Sequence, residues 1–333
     1  MGTSLSTRTA AIVVNFARPD LTERCLSSLW SGSVVPELTI CVDNGSDDGS
    51  VERLSHWADQ ELSKHDQAVE FAILACASNM GFAAANNTAL RWVAERALEF
   101  DQFWFLNNDT TPRHDALEHL IAKGRKHPKY GIIGSTLLKP GSTTQCTGGY
   151  RYYPALTVIS AANEGLALEH LDSLPPPRLD YICGASMLIR AETLSQVGMF
   201  DERYFLFCEE VDLAHRIRKS ELALHWARAS IVHHDIGATA KSTASTGDSG
   251  SDLANYHENL SVLRLTWQHY RYWLPLAVMA RIAMKLMATV LHQRWSAFGP
   301  FCRAVLDFLR DPRGPNSRST PITSCHTWPP GRD

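Results

Sequence analysis

Four times in its first 120 residues the chain repeats one arrangement: an apolar run, a cluster of small polar residues, then apolar positions at helical spacing. Ala10-Ala-Ile-Val-Val-Asn-Phe16 is a continuous apolar run, as expected of a strand buried on both faces. Leu21, Cys25, Leu26, Leu29 and Trp30 form the stripe of the helix that follows, and Asp20-Leu-Thr-Glu23 reads as its capping box. A second strand, Leu38–Val42, precedes a helix carrying Val51, Leu54, Trp57 and Ala58. A third strand lies within Val69–Ala75, before a helix with Leu90, Val93, Ala97 and Leu98. The fourth, Phe103–Leu106, delivers Asn107, Asn108 and Asp109 to its carboxyl end, and Pro112 is expected to open the next helix. Four strand–loop–helix units in a row imply an α/β fold with a mainly parallel sheet and right-handed crossovers.

Beyond the fourth unit the pattern loosens. Tyr130–Leu138 reads as a strand, Gln145–Pro154 is rich in glycine and aromatics, and the stretch to Pro177 reads as loop. Tyr181–Arg190 resumes strand character, a helix starts near Glu209, and Ala229–Asp235 ends a further strand. Gly237–Ser251, rich in Gly, Ser and Thr, reads as a mobile loop. From Leu253 the chain turns helical. Leu274–Leu291 is strongly apolar, but Arg281 and Lys285 interrupt it on one face, so an amphipathic helix lying in a membrane interface fits better than a spanning one. A core or partner-facing helix is the alternative. From Asp311 the Pro-, Ser- and Gly-rich end is expected to be disordered. The expected division is a flexible 1–9, a catalytic domain over 10–252, a helical, membrane-associated 253–310 and a disordered 311–333.

Composition narrows the class. The 333 residues, 44% hydrophobic with a formal charge of −3, suit one large α/β domain with an appendage, or two small domains. The near-neutral balance makes no case for nucleic acid. Eight cysteines without a CxxC pair read as reduced, mostly buried thiols of a cytosolic protein. Met1–Thr9 has no apolar segment of the secretory kind. Neither GxGxxG nor GxxxxGK[ST] is present, so phosphate has to be held some other way.

The polar clusters all follow strands and so share one edge of the sheet, where ligands bind in open α/β sheets. Asp109 there is placed to hold a divalent metal and through it a diphosphate, or to cap a helix. On the later helix Glu209, Asp212 and Arg216 share a face, with Asp212 and Arg216 spaced to pair. Acids at a helix start are expected from the macrodipole, yet two adjacent glutamates behind an aromatic segment could be tuned as a general base. Gly184 and Ala185 are small enough to let a ligand approach. A histidine after the Ala229 strand could complete the coordination of an Asp109 metal. Tyr150, Tyr152 and Tyr153 could stack on a sugar or staple a loop.

Taken in order, these pieces resemble the inverting family 2 glycosyltransferases of the GT-A fold, especially the bacterial rhamnosyltransferase-like branch. The resemblance rests on the strand into Asn15, Val42-Asp-Asn-Gly-Ser-Asp-Asp-Gly-Ser50, Asn79-Met-Gly-Phe-Ala-Ala-Ala-Asn-Asn87 and Leu106-Asn-Asn-Asp-Thr110. It continues in Gly184-Ala-Ser-Met-Leu-Ile-Arg190, Val197-Gly-Met-Phe-Asp-Glu-Arg-Tyr-Phe205, Glu209-Glu-Val-Asp-Leu213 and His234-Asp-Ile-Gly-Ala-Thr239. It implies a GT-A fold with a Rossmann-like sheet and added C-terminal helices. Asp43 would contact the nucleotide base, with Asn15, Ser46 and Asp48 nearby. Asn79, Gly81, Asn87 and Asn108 would line the nucleotide. Asp109, last residue of a DXD-type motif that here reads Asn-Asn-Asp, would bind Mg²⁺ or Mn²⁺, with His234, rather than His233, approaching the metal. Glu210 would be the base, Glu209 the less favoured candidate, because Glu209-Glu210 stands where the family usually has Glu-Asp. Gly184 and Asp212 would meet the donor or acceptor sugar. The implied partners are a UDP- or dTDP-sugar, dTDP-rhamnose among them, and a glycan or polyprenyl-linked acceptor at the cytoplasmic membrane face, for cell-surface polysaccharide synthesis. A non-catalytic sugar-nucleotide-binding subunit and a nucleotidyltransferase are the competing readings.

Overall fold

A computed structural model describes residues 7–64, 69–141, 143–235, 249–292, 298–315 and 322–328. The expected repeat is present. β1 (Thr9–Asn15), α1 (Pro19–Trp30), β2 (Leu38–Asp43), α2 (Ser50–Leu62), β3 (Glu70–Cys76), α3 (Phe82–Glu95) and β4 (Gln102–Asn107) follow in order. β3, β2, β1 and β4 lie side by side and parallel. β1 shows why its run is apolar throughout. Ala11 and Val13 enter one core with α1 and α2, while Ala10 and Ile12 enter a second core with α3 on the opposite face. Two details differ from expectation. α1 starts with Pro19 at its first position and no side-chain cap; Asp20 pairs with Arg18 instead of closing a capping box. Pro112 sits not in a helix but in β5 (Thr110–Pro112), a short strand at the sheet edge, where a missing N–H is tolerated.

Next come α4 (Ala116–Lys126), β6 (Tyr130–Leu138), β7 (Thr144–Thr147), β8 (Gly149–Tyr153), β9 (Val158–Ala161), β10 (Tyr181–Ile182), β11 (Ser186–Arg190), α5 (Ala191–Val197), α6 (Glu209–Lys219) and β12 (Ala223–His234). β11 runs antiparallel between β4 and β6, and β12 lies parallel to β6 and antiparallel to β5. The single strand expected over Tyr181–Arg190 is thus two strands with a turn at Cys183–Ala185. Within the stretch from Gln145 to Pro177, whose part after Pro154 reads as loop, β8 and β9 form with β10 a three-stranded antiparallel sheet, β10-β8-β9, in which Tyr150 stacks on Tyr181 at 5.2 Å.

The C-terminal part holds α7 (Ser249–His269), α8 (Leu274–His292), α9 (Phe298–Arg310) and β13 (Ile322–Trp328). The expected boundary after residue 252 falls inside α7, whose Val262 and Leu265 share a core with Tyr204, Cys208 and Val211. The end of the chain is not disordered throughout. β13 pairs antiparallel with β3, and Trp328 stacks on Phe71 at 5.4 Å. Of the expected flexible start, Thr9 opens β1 and Arg8 pairs with Glu37. Most of the expected mobile loop, 237–248, lies outside the described residues. None of the eight cysteines forms a disulfide among the described residues, and six are buried. No helix among the described residues is long and apolar enough to cross a membrane.

Candidate active site

The carboxyl ends of β4, β1 and β2 are joined by one run of hydrogen bonds. Asn108 Nδ2 donates to Thr22 Oγ1 at 3.2 Å, Thr22 Oγ1 donates to Asn15 Oδ1 at 2.7 Å, and Asn15 Nδ2 donates to Asp43 Oδ2 at 2.7 Å. Asp43 also accepts from the Ser46 amide and hydroxyl, at 2.9 and 2.7 Å. Ser46 Oγ in turn accepts from the amide of Ala17, a residue in the left-handed region at φ 51°. Asn15, Asp43 and Asn108 are all at most 5% exposed. Buried polar groups keep such partners because leaving one unpaired costs about 1–3 kcal/mol. The sequence offers Thr22 only as part of a capping box, and its role as the link between Asn15 and Asn108 has no signal there.

A second stitch joins the loops after β2 and β3. Asn79 Oδ1 accepts from Asn44 Nδ2 and from the Gly81 amide, and Asn44 Oδ1 accepts from the Met80 amide. Gly81 has φ 85°, and a Cβ there would lie 2.0 Å from the carbonyl oxygen of Phe205. Its missing side chain therefore admits the 200–208 segment across the start of α3. Asp48 is exposed and bonds the Ser50 amide at the start of α2.

Asp109 follows β4 and is 5% exposed. The pairing of β5 with β12, His234 opposite Thr110, brings His234 alongside it. His234 Nε2 lies 3.3 Å from Asp109 Oδ1, and its Nδ1 meets Gln145 Oε1 at 2.7 Å. Burial pulls the imidazole pKa down, but the hydrogen bond and charge of Asp109 outweigh it and the net direction is upward. Gln145, which donates onward to the Tyr150 hydroxyl at 2.8 Å, fixes the ring from the far side as supporting groups do at metal sites. His233, the neighbour on the alternate face, pairs opposite Thr111 instead. Arg18 stands close enough to Asp109 for the carboxylate to raise its pKa, after the larger effect of Asp20. Among the described residues no group of three His, Cys, Asp or Glu side chains gathers as a metal site. One carboxylate and one imidazole fit a divalent ion whose remaining positions are filled by substrate oxygens and water, and do not fit an ion held by protein alone.

On the other side of the Cys183–Ala185 turn lies the start of α6. Phe207 and Cys208 both have positive φ, 66° and 72°, a strained entry of the kind that persists at functional sites. It presents Glu209 and Glu210. Burial pushes Glu209 well above the usual carboxyl range and the adjacent Glu210 adds to it. Burial also raises Glu210, to about 7. The Oε2 atoms of both are buried without a hydrogen-bond partner among the described residues. Gly184 is the small residue facing them: a Cβ there would stand 4.0 Å from Glu210 Oε1. Because Asn107 N–H bonds the Ala185 carbonyl at 3.2 Å, this turn abuts the end of β4 that carries Asp109. Glu210 also borders a cavity of about 600 Å³ whose walls include Tyr152, Tyr181, Phe207, Val262, Met284 and Lys285.

Two expected contacts are not brought to this edge. Asp212 is 0% exposed, its carboxylate taken up by His269 at 2.6 Å, Arg216 at 2.8 Å and Gln268 at 3.2 Å. The pairing with Arg216 is as spaced, but no surface remains for a sugar. Asn87 is likewise buried, bonding both the amide and carbonyl of Phe200 and the carboxylate of Glu202. It anchors the 200–208 segment and does not line a ligand site.

The profile of the family described as Glycosyl transferase family 2 matches residues 10–198. The chain is 24% identical over 280 residues to the N-acetylglucosaminyl-diphospho-decaprenol L-rhamnosyltransferase of Mycobacterium tuberculosis, covering 79% of this chain and 85% of that one. It is 28% identical over 167 residues to the rhamnosyltransferase WbbL of Escherichia coli, covering 46% of this chain and 62% of that one. In fold it is similar to a Pyrobaculum calidifontis mannosyltransferase solved in complex with GDP-Man and Mn²⁺, with a TM-score of 0.54 at 15% identity, covering 93% and 83% of the two chains.

Proposed function

Since the chain belongs to glycosyl transferase family 2, we propose that it is an inverting, metal-dependent enzyme moving a sugar from a nucleoside diphosphate to a hydroxyl of a lipid-diphosphate-linked glycan. Rhamnose from dTDP-rhamnose is the first donor to test, given the rhamnosyltransferase relatives. The observation that carries this reading is Glu210: a buried carboxyl raised to about 7, with one unpartnered oxygen, across Gly184 from the strand end that carries Asp109. A group with that pKa is half ionised near neutrality, as a general base requires.

In the proposed reaction Glu210 takes the proton of the acceptor hydroxyl. The oxygen forms its bond to the anomeric carbon from the face opposite the diphosphate, the carbon–oxygen bond to the diphosphate breaks, and that electron pair leaves on the phosphate oxygen. A single displacement inverts the configuration. Asp109 and His234 would hold the divalent ion, Mg²⁺ or Mn²⁺, which when bound neutralises charge on the diphosphate. Arg18 adds a positive charge at the same rim. Asn15, Asp43, Ser46 and Asn79 act chiefly by fixing the loops that receive the base and ribose. The roughly 600 Å³ cavity beside Glu210 is the acceptor's way in. A peripheral contact of α8 with the membrane belongs to the same reading. Leu276, Met279, Leu286, Met287 and Val290 are all at least 42% exposed.

The decisive experiment is calorimetric titration of UDP and dTDP, with and without Mn²⁺, into wild type and Asp109→Ala. Metal-dependent binding that the substitution abolishes is the expected result. Absence of binding for both nucleotides would favour a subunit without transferase activity.

A further inference from the structure

Between the end of α7, the turn at 271–273 and Pro312–Arg313 lies a cavity of about 320 Å³ bordered by Arg203, Arg264, Arg271 and Arg313. Two of these guanidiniums already have partners. Arg203 is held by Asp201 and by Gln268, and the central carbon of the Arg271 guanidinium sits over the Trp267 ring, 4.0 Å from its centroid. Arg264 is 7% exposed; its Nη1 bonds the Arg203 carbonyl at 3.2 Å, and its Nε has no hydrogen-bond partner among the described residues. The carboxylates nearby are Asp201, Asp212, which is committed to Arg216 and His269, and Asp311, whose charge reaches Arg264 and which accepts from the Gly314 amide. A buried, oriented guanidinium N–H without an acceptor is costly, and the fork of donors matches phosphate oxygens.

The rim of the cavity identifies the source of that phosphate. Tyr272, which lines it, is fully exposed, and Trp273 is 48% exposed. From these two rings the apolar face of α8 continues. The charged residues of α8 turn the other way: Arg281 bonds Asn259 and Glu258, and Lys285 bonds Asn255, all on α7. Moreover, every charged residue between Glu258 and Asp307 is basic (Arg264, Arg271, Arg281, Lys285, Arg294 and Arg303), in a chain whose formal charge is −3. Exposed Tyr and Trp beside an apolar helix face take the level of lipid headgroups.

We propose that the arginine cavity binds the phosphate of an anionic membrane phospholipid and so seats the apolar face of α8 on the bilayer. This rests on the peripheral contact proposed above and adds to it a specific headgroup site. The test is flotation of the full chain with vesicles of neutral phosphatidylcholine, and with vesicles containing phosphatidylglycerol. Wild type is expected to bind the anionic vesicles at least about tenfold more tightly. Arg271→Gln and Arg313→Gln, both at exposed positions, should each cost about fivefold on anionic vesicles only, and soluble glycerol phosphate should compete. Arg125→Gln removes the same charge from α4 and should change binding less than twofold. An equal loss in Arg125→Gln, or binding of inorganic phosphate with no vesicle preference, overturns the site. Strong binding to both vesicles alike would keep the α8 contact and discard the cavity, whereas no binding to either discards both. Nucleotide titration of each variant reports separately on the donor site and on folding.

Discussion

Glu209 and Glu210 share a helix start and a buried environment, yet their surroundings separate them. Burial raises both carboxyls, but Glu210 is the one whose Oε1 faces Gly184 and which borders the cavity, so Glu210 is placed to take an acceptor's proton. Glu209→Gln, whose amide can still donate to its neighbour, is expected to keep activity within about tenfold. Glu210→Gln should lose about 10²–10⁴-fold in kcat with nucleotide affinity unchanged, the range for removing a general base. Steady-state rates on both variants check this, and the reverse order would move the base to Glu209. The rate of wild type should rise with pH through about 7, the value to which burial raises Glu210. Stability runs the other way. A carboxyl whose folded pKa is raised, as that of Glu210 is, contributes stability that is complete below the ordinary value of 4.5 and is lost as pH rises through about 7. Glu210→Gln should accordingly raise Tm more at about pH 8 than at about pH 4, as thermal melts at the two pH values would show.

Among the elements, α8 shows a pattern legible in the sequence whose charged face has a partner that is not. Arg281 and Lys285 do share one face, as their spacing required, but that face meets α7, and the apolar face is the exposed one. The acceptors that hold Arg281, Asn259 and Glu258, are more than twenty residues earlier, so no local periodicity could reveal them. Arg281→Met should lower stability by about 2 kcal/mol in chemical denaturation, less than for a fully buried pair because Glu258 is 45% exposed. β13 is the other element that local composition concealed. A Pro/Ser/Gly-rich stretch lacks the apolar run of an inner strand, but an edge strand needs only one covered face, and Trp328 provides it by stacking on Phe71 and donating to Asp59 at 2.6 Å. Trp328→Ala should cost about 1–2 kcal/mol, measured the same way.

At the scale of the molecule, what could be read from the sequence was whatever depends on neighbours along the chain. The four parallel strands, the polar loops at their carboxyl ends, Asp109 and the Glu209–Glu210 pair all follow from local pattern and motif order. The partners that make a site of them come from remote segments and left no local trace: Gln145 behind His234, Thr22 between Asn15 and Asn108, the Phe205 carbonyl against Gly81. For the same reason the sequence offers Asn87 and Asp212, polar residues inside matching motifs, as ligand contacts, whereas Phe200 and Glu202 take the hydrogen bonds of the first and His269 and Gln268, beside the local Arg216, those of the second. The bond from Thr323 to the Ala75 carbonyl spans 248 residues, and this separation has a consequence in time. At synthesis rates of about 5–20 residues per second, the outer side of β3 stays without its partner for roughly 10–50 s after it leaves the ribosome. For that interval a nascent chain offers an open strand to any other nascent chain nearby, so slow translation or crowded polysomes should favour tangled products even where the finished enzyme is well behaved.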